Sequence, residues 1–137
     1  MKGLRVFHSA LLLSCFLCGC SKDNAVFSST EELLISNPWS VDYYFHHQDM
    51  TEVYSNSMLL FSSTGAVGFR QNGATVGGKW SSTIDASNNE LVDLQFNTAD
   101  IDIMDLNKSW VLTSRTTSTL LLEQTDGADT VVLRLRK

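Results

Sequence analysis

The chain has 137 residues and a formal net charge of −5, and 43% of its residues are hydrophobic. This length suits one compact domain rather than two, and the excess of acidic residues argues against nucleic-acid binding, which needs clustered lysine and arginine. With one proline and eight glycines, the composition is not that of a disordered protein.

Residues 1–19 have the layout of a secretory signal peptide. Lys2 and Arg5 precede an apolar run over 10–17, and a polar stretch begins at Ser21. The run is far shorter than the roughly 20 apolar residues of a membrane-spanning helix. We therefore exclude this segment from the fold.

Leu17-Cys18-Gly19-Cys20 resembles the lipobox of bacterial lipoproteins. The resemblance implies cleavage between Gly19 and Cys20, followed by attachment of acyl chains such as palmitate to Cys20. Two or more chains make a durable anchor, since each buried methylene contributes about 0.8 kcal/mol. Ser21 stands where enteric lipoproteins kept in the inner membrane have Asp, which predicts a lipid-anchored protein of the outer membrane, on either its periplasmic or its surface face.

The predicted domains are a signal peptide (1–19), a lipidated cysteine with its tether (20–28) and a folded domain (29–137). All three cysteines lie at or before residue 20, so the folded domain has no disulfide. Removal of Lys2 and Arg5 with the signal takes the formal charge from −5 to −7, which also argues against a face that binds anionic lipid.

The folded domain begins with a capping box, in which Ser29 precedes Glu32 by three residues. The apolar run 33–35 then predicts a short helix. Asn37-Pro38 ends it, because the residue before proline avoids the helical region.

From Trp39 onward, apolar residues recur with a period of two, which is typical of half-buried antiparallel strands. Asn72-Gly73 and Asp126-Gly127 predict tight hairpin turns, and the segment 99–108 suits a short covering helix or an irregular loop. Eight short strands with tight connections favour a sandwich or a barrel, and up-and-down closure is the simplest way to hide the edges. The predicted strands lie near 39–46, 57–62, 67–69, 75–84, 92–96, 110–114, 120–122 and 131–135.

Several short motifs follow one another along the strand region. They are Trp39-x-Val41-x-Tyr43-Tyr44-Phe45, Leu59-x-Phe61-x-x-x-Gly65-x-Val67, Gly78-Lys79-Trp80-Ser81, Leu106-Asn107-x-x-Trp110-x-Leu112 and Asp126-Gly127. Their order is similar to that in the small bacterial lipocalin-like lipoproteins. This resemblance covers roughly 39–135 and implies an all-β fold, an eight-stranded antiparallel up-and-down barrel preceded by a short helix.

Aromatic side chains are the main candidates for a ligand or core lining. An eight-stranded barrel has room either for side chains or for one small ligand, and close packing of the interior is the commoner case. Ser57, Gly78 and Ser114 at expected inward positions would leave some space. The candidate lining residues are Trp39, Tyr43, Phe45, Phe61, Trp80, Phe96 and Trp110.

Two groups of polar residues invite a metal interpretation, which the sequence does not favour. His46-His47 stand near Asp49 and Glu52, but adjacent strand residues point to opposite faces, so we predict a polar loop. The segment from Asp100 to Asp105 lacks the glycine and glutamate of an EF-hand loop, so we predict a solvated acidic turn.

No nucleophile–base pair and no glycine-rich phosphate loop stands out in the sequence. We therefore expect a non-enzymatic envelope protein without a cofactor, whose barrel binds a small apolar molecule or an envelope partner. The alternative is a structural or adaptor subunit of an outer-membrane assembly, with a filled barrel and no ligand. A third hypothesis is a module whose surface binds a metal ion or a glycan.

Overall fold

A computed structural model describes residues 29–137, which form a closed antiparallel barrel preceded by one short helix. The predicted signal peptide, the cleavage site between Gly19 and Cys20, the lipidated Cys20 and the tether lie outside the described residues. Within 29–137, no helix is both long enough and apolar enough to cross a membrane.

Eight strands form the barrel, each pairing antiparallel with the next barrel strand along the chain and the last with the first. The two-residue β2 pairs only with the end of β1 and is not one of these eight. The predicted eight-stranded up-and-down barrel with a short helix before it is confirmed. The elements are α1 (Thr30–Ile35), β1 (Trp39–His46), the two-residue β2 (Gln48–Asp49), a 3₁₀ turn (Thr51–Tyr54), β3 (Met58–Phe61), β4 (Ala66–Gln71), β5 (Ala74–Ile84), β6 (Glu90–Phe96), α2 (Ile101–Met104), β7 (Ser109–Arg115), β8 (Thr119–Asp126) and β9 (Asp129–Arg136).

Up-and-down connectivity sorts the connecting segments between two ends of the barrel. The α1 end carries α1 and the turns 62–65, 85–89 and 116–118. The α2 end carries the segment 47–57, the turn 72–73, the α2 loop 97–108 and the turn 127–128. The chain enters the barrel at the α1 end, so the α2 end is opposite the point where residues 1–28 join the fold.

Helix α1 closes the first end of the barrel. The Ser29 side chain accepts a hydrogen bond from the Glu32 backbone amide at 3.1 Å, as the capping box predicts. Leu33 and Leu34 are buried, and the Trp39 indole donates to the Leu34 carbonyl at 3.0 Å. The Arg115 guanidinium on β7 donates to the Thr30 hydroxyl at 2.8 Å, so the helix is held by one apolar face and by two hydrogen bonds from the barrel wall.

Large side chains fill the interior between the two ends. Phe61 and Trp80 meet edge to face with ring centroids 5.2 Å apart, and Tyr54, Phe69 and Phe96 form a further chain of edge contacts. Such pairs stabilise beyond their buried area by about 0.5–1.5 kcal/mol each. The core is thus a packed aromatic interior of the kind expected for an eight-stranded barrel.

A bulge in β1 changes which side chains point inward. The pairing of β1 with β9 shifts between Val41 and Tyr43, and as a result Tyr44 is fully buried. Tyr43 is instead half-buried on the outer wall, where the Arg134 guanidinium lies 5.4 Å from its ring centroid, and Phe45 is also only half-buried. The predicted interior positions of Tyr43 and Phe45 are therefore wrong, because a bulge inverts the alternation beyond it.

Three small residues were expected to face inward and to leave space in the barrel interior, and the structure places them differently. Ser57 is buried, as predicted. Ser114 is exposed, because the pairing of β7 with β8 shifts between Leu112 and Ser114. The space at Gly78 is already occupied, since an added Cβ atom would lie 2.5 Å from the Gln95 carbonyl oxygen.

Gly78 and Gly77 form a matched pair for testing this packing. Gly78→Ala should lower the free energy of unfolding by about 1–3 kcal/mol, because the added methyl forces the wall apart. Gly77→Ala should change it by less than about 1 kcal/mol, since nothing lies within 4 Å of its added Cβ. Urea denaturation measures both, and equal destabilisation of the two variants would contradict the tight contact at Gly78.

Candidate functional site

A charged cluster at the α2 end is centred on Asp105, which directly follows α2. Its Oδ2 atom accepts a hydrogen bond from the Tyr44 hydroxyl at 2.6 Å and lies 2.8 Å from Nδ1 of His46. Its Oδ1 atom binds the ammonium group of Lys108, three residues further along. One carboxylate thus joins β1 to the α2 loop.

The hydrogen bonds around Asp105 fix its ionisation. Burial alone would raise the pKa of its carboxyl group, but the bonds from Lys108, Tyr44 and His46 outweigh this and lower that pKa to about 2. Burial, followed by the bond to Asp105, raises the pKa of the Tyr44 hydroxyl well above its ordinary value. At neutral pH the carboxylate is therefore charged and the phenol is a hydrogen-bond donor.

Two stacked histidines extend the cluster to the hairpin between β8 and β9. His47 has a φ of 59°, which turns the chain back so that β2 pairs with the end of β1. The rings of His46 and His47 lie 4.5 Å apart. His46 Nε2 is 3.2 Å from Asp126, and His47 Nδ1 is 3.0 Å from Asp129, so the pair joins three segments of this end.

Helix α2 is held across the barrel opening by a cap and by two hydrogen bonds from the interior. Asp100 accepts hydrogen bonds from the backbone amides of residues 102 and 103. The Tyr54 hydroxyl donates to the carbonyl of Asp102 at 2.7 Å, and the Trp110 indole donates to the carbonyl of Leu106 at 3.1 Å. Of the two alternatives predicted for 99–108, the structure has the short covering helix, over Ile101–Met104.

An open cleft of about 560 Å³ lies beside the cluster. Its apolar part consists of Met50, Ile101 and Met104, and Ile101 is 78% exposed. Its polar part consists of His46, His47, Gln48, Asp102 and Asp105. Sequence reasoning missed this cleft, although the alternation of turns between the two ends of a barrel would have placed its segments together.

The two predictions for polar segments have different outcomes. The histidine pair meets Asp105, Asp126 and Asp129 rather than Asp49 and Glu52. The predicted solvated acidic turn is wrong for Asp105, because its side chain is only 20% exposed and is surrounded by donors. No group of three or more ligand-type side chains within 29–137 is arranged to hold a metal ion.

Five of the predicted lining aromatics do face the interior. All five are buried, and they lie on β1, β3, β5, β6 and β7, so they belong to the barrel core rather than to the cleft. They are Trp39, Phe61, Trp80, Phe96 and Trp110.

Comparison with known proteins supports the fold alone. A solved crystal structure of a DUF4847 family protein from Bacteroides vulgatus superimposes with a TM-score of 0.55 at 15% identity, over 79% of this chain and 96% of that one. No protein-family model and no curated protein matches the sequence. A small eight-stranded antiparallel barrel is thus common to both proteins, and the likeness to lipocalin-like lipoproteins stays a prediction.

The low pKa of Asp105 predicts a specific loss of stability in acid. A depressed pKa in the folded state stabilises it above the unfolded value of about 4, and this contribution disappears as the pH falls through about 2. Wild type should therefore be more stable than Asp105→Asn at pH 7, and the difference should shrink between about pH 4 and pH 2. Denaturation curves across this range measure the difference.

Tyr44→Phe serves as the companion variant, because it keeps the ring and removes one hydrogen bond to the same carboxylate. It should lose part of the same acid-sensitive stability, of the order of 1.5–3 kcal/mol for a bond to a charged group. A stability difference that does not vary with pH in either variant would contradict the role assigned to Asp105.

Proposed function

We propose that this chain is a lipid-anchored, non-enzymatic protein of the cell envelope, held in the outer membrane through Cys20, and that its α2 end binds an envelope partner. The lipobox-like sequence ending at Cys20 supports the anchor. The observation that carries the binding site is the open, largely apolar cleft at Ile101 and Met104.

The position of this cleft fits an anchored protein. Residues 20–28 directly precede Ser29 and α1 in the sequence, and the eight residues after Cys20 extend at most about 30 Å. The α1 end would therefore be nearest the bilayer, and the α2 end would point away from it. A surface directed away from the membrane is accessible to periplasmic or surface partners.

The filled interior favours binding at the surface over binding inside the barrel. The described core contains tryptophan and tyrosine side chains with no measurable exposure, such as Trp39, Tyr44 and Trp110. A ligand inside would have to displace these side chains, at a cost of several kcal/mol. This supports the adaptor alternative, in which the barrel positions a docking surface.

The arrangement of His46 supports a non-enzymatic role for this residue. Both ring nitrogens of His46 lie within 3.2 Å of carboxylate oxygens, those of Asp105 and Asp126. A general base needs one nitrogen directed at the proton that it removes. Here the imidazole acts as a structural bridge between segments.

A small apolar molecule in the same cleft is the second candidate. A volume of about 560 Å³ falls within the usual range for ligand sites, of about 300–1,000 Å³. The cleft is open to solvent, however, and ligand sites normally bury most of the ligand. We therefore prefer a macromolecular partner.

The anchor is tested by changing the cysteines one at a time. Cys20→Ala should abolish incorporation of labelled palmitate, leave the precursor uncleaved and release it from the outer-membrane fraction. Cys18→Ala is the matched control, since it keeps the proposed acceptor and should be processed normally. Globomycin, which blocks lipoprotein signal cleavage, should cause precursor to accumulate from wild type.

Palmitate labelling, signal cleavage or outer-membrane attachment of the Cys20→Ala protein equal to that of wild type would overturn the proposed anchor. Loss of labelling in Cys18→Ala together with normal labelling of Cys20→Ala would place the acceptor at Cys18 instead.

A further inference from the structure

Helix α2 carries apolar side chains on both of its faces, and the fold accounts for only one of them. Ile103 is buried against the barrel, as is Leu106 just after the helix, whereas Ile101 is 78% exposed and Met104 is 47% exposed. Ile101 and Met104 are three residues apart, so they lie side by side on one face of the helix. Together with Met50 they form the apolar part of the cleft.

The segments at the α2 end also carry a large excess of negative charge. Within the described segments 47–57, 72–73, 97–108 and 126–129, the single lysine or arginine is Lys108, whose ammonium group is bound to Asp105. The potential over the cleft is therefore negative and attracts positively charged partners. The acidic residues are Asp49, Glu52, Asp100, Asp102, Asp105, Asp126 and Asp129, and we call this group the acidic rim.

We infer that the cleft binds a cationic amphipathic polypeptide segment, with its apolar side chains on Met50, Ile101 and Met104 and its lysines or arginines against the acidic rim. Methionine side chains are flexible and polarizable, so they adapt to apolar surfaces of different shapes. An apolar groove flanked by charge is a common way to bind one face of an amphipathic helix.

Charge excludes the two other large occupants. A second copy docking through the same end would bring two acidic rims together, and like charges across an interface oppose association. A bilayer with anionic lipids would meet the same repulsion. A cationic segment gains both from steering and from burial of the apolar residues.

The inference rests on the proposed function in taking the partner to be an envelope protein, but the preference of the surface can be measured separately. The probe is a fluorescein-labelled 14-residue peptide of leucine and lysine at helical spacing, about 21 Å long as a helix. It is titrated against the full chain held by its anchor in phosphatidylcholine nanodiscs, with empty nanodiscs as the blank.

Binding should depend on both parts of the surface. Ile101→Ser should weaken binding about tenfold, as expected for an apolar side chain at the centre of an interface. Asp102→Asn, in the acidic rim, should weaken it about two- to fivefold and reduce its dependence on salt. Ile84→Ser is the matched control, because Ile84 is 61% exposed at the α1 end, and it should bind like wild type.

Any of three results would overturn the inference. The first is that a peptide with glutamate in place of lysine, or one with the same composition in scrambled order, binds as tightly as the probe. The second is that Ile84→Ser and Ile101→Ser weaken binding equally. The third is that the chain binds phosphatidylglycerol vesicles through Ile101 and does not bind the peptide, which would make the partner a membrane.

A photo-crosslinking amino acid at position 101 tests the same inference in cells, with position 84 as the control. Mass spectrometry of the crosslinked fragment at 101 should give a segment with basic and apolar residues at helical spacing, and an acidic segment or a lipid adduct would contradict it. If the chain carries no acyl anchor, the same peptide titration is made on the secreted form in solution. The proposed anchor and the proposed peptide binding can therefore fail independently of each other.

Discussion

Pairing of β9 with β1 is the constraint on which the rest of this structure depends. Closure removes both sheet edges and sets the width of the interior, which at eight strands suffices for side chains. Because the domain has no cysteine after residue 20, it must gain its stability from this interior rather than from crosslinks. The aromatic core is the result. Because this core fills the interior, the connecting segments at the two ends are where a binding surface can form.

The two ends are closed in different ways. At the α1 end, a helix with one apolar face covers the opening, and its exposed side is polar or charged apart from Ile35. At the α2 end, the shorter helix is tied down by Tyr54, Trp110 and the Asp105 cluster. The polar network fixes the position of α2, and this fixed position is what presents its second apolar face to solvent.

The alternation of apolar residues and the Asn72-Gly73 turn predicted antiparallel strands in a sandwich or a barrel, and the resemblance to lipocalin-like lipoproteins favoured the barrel. Both turn residues have the positive φ that a tight hairpin needs. The inward residue of β1 could not be predicted, because Tyr43 and Tyr44 are adjacent and the bulge that selects between them depends on β9. The role of Asp105 could not be predicted either, since its donors Tyr44 and His46 are some 60 residues away in sequence. Local patterns specify the strands, whereas long-range pairing decides which polar groups meet.

The three tryptophans each donate an indole hydrogen bond to a different connecting segment: Trp39 to α1, Trp80 to the turn at Ser62 and Trp110 to the loop after α2. Indole emission is sensitive to hydration, so each ring is a built-in optical reporter for the detachment of one segment. Variants that keep a single tryptophan would distinguish detachment of α1 from detachment of the α2 loop by fluorescence alone, without any added label.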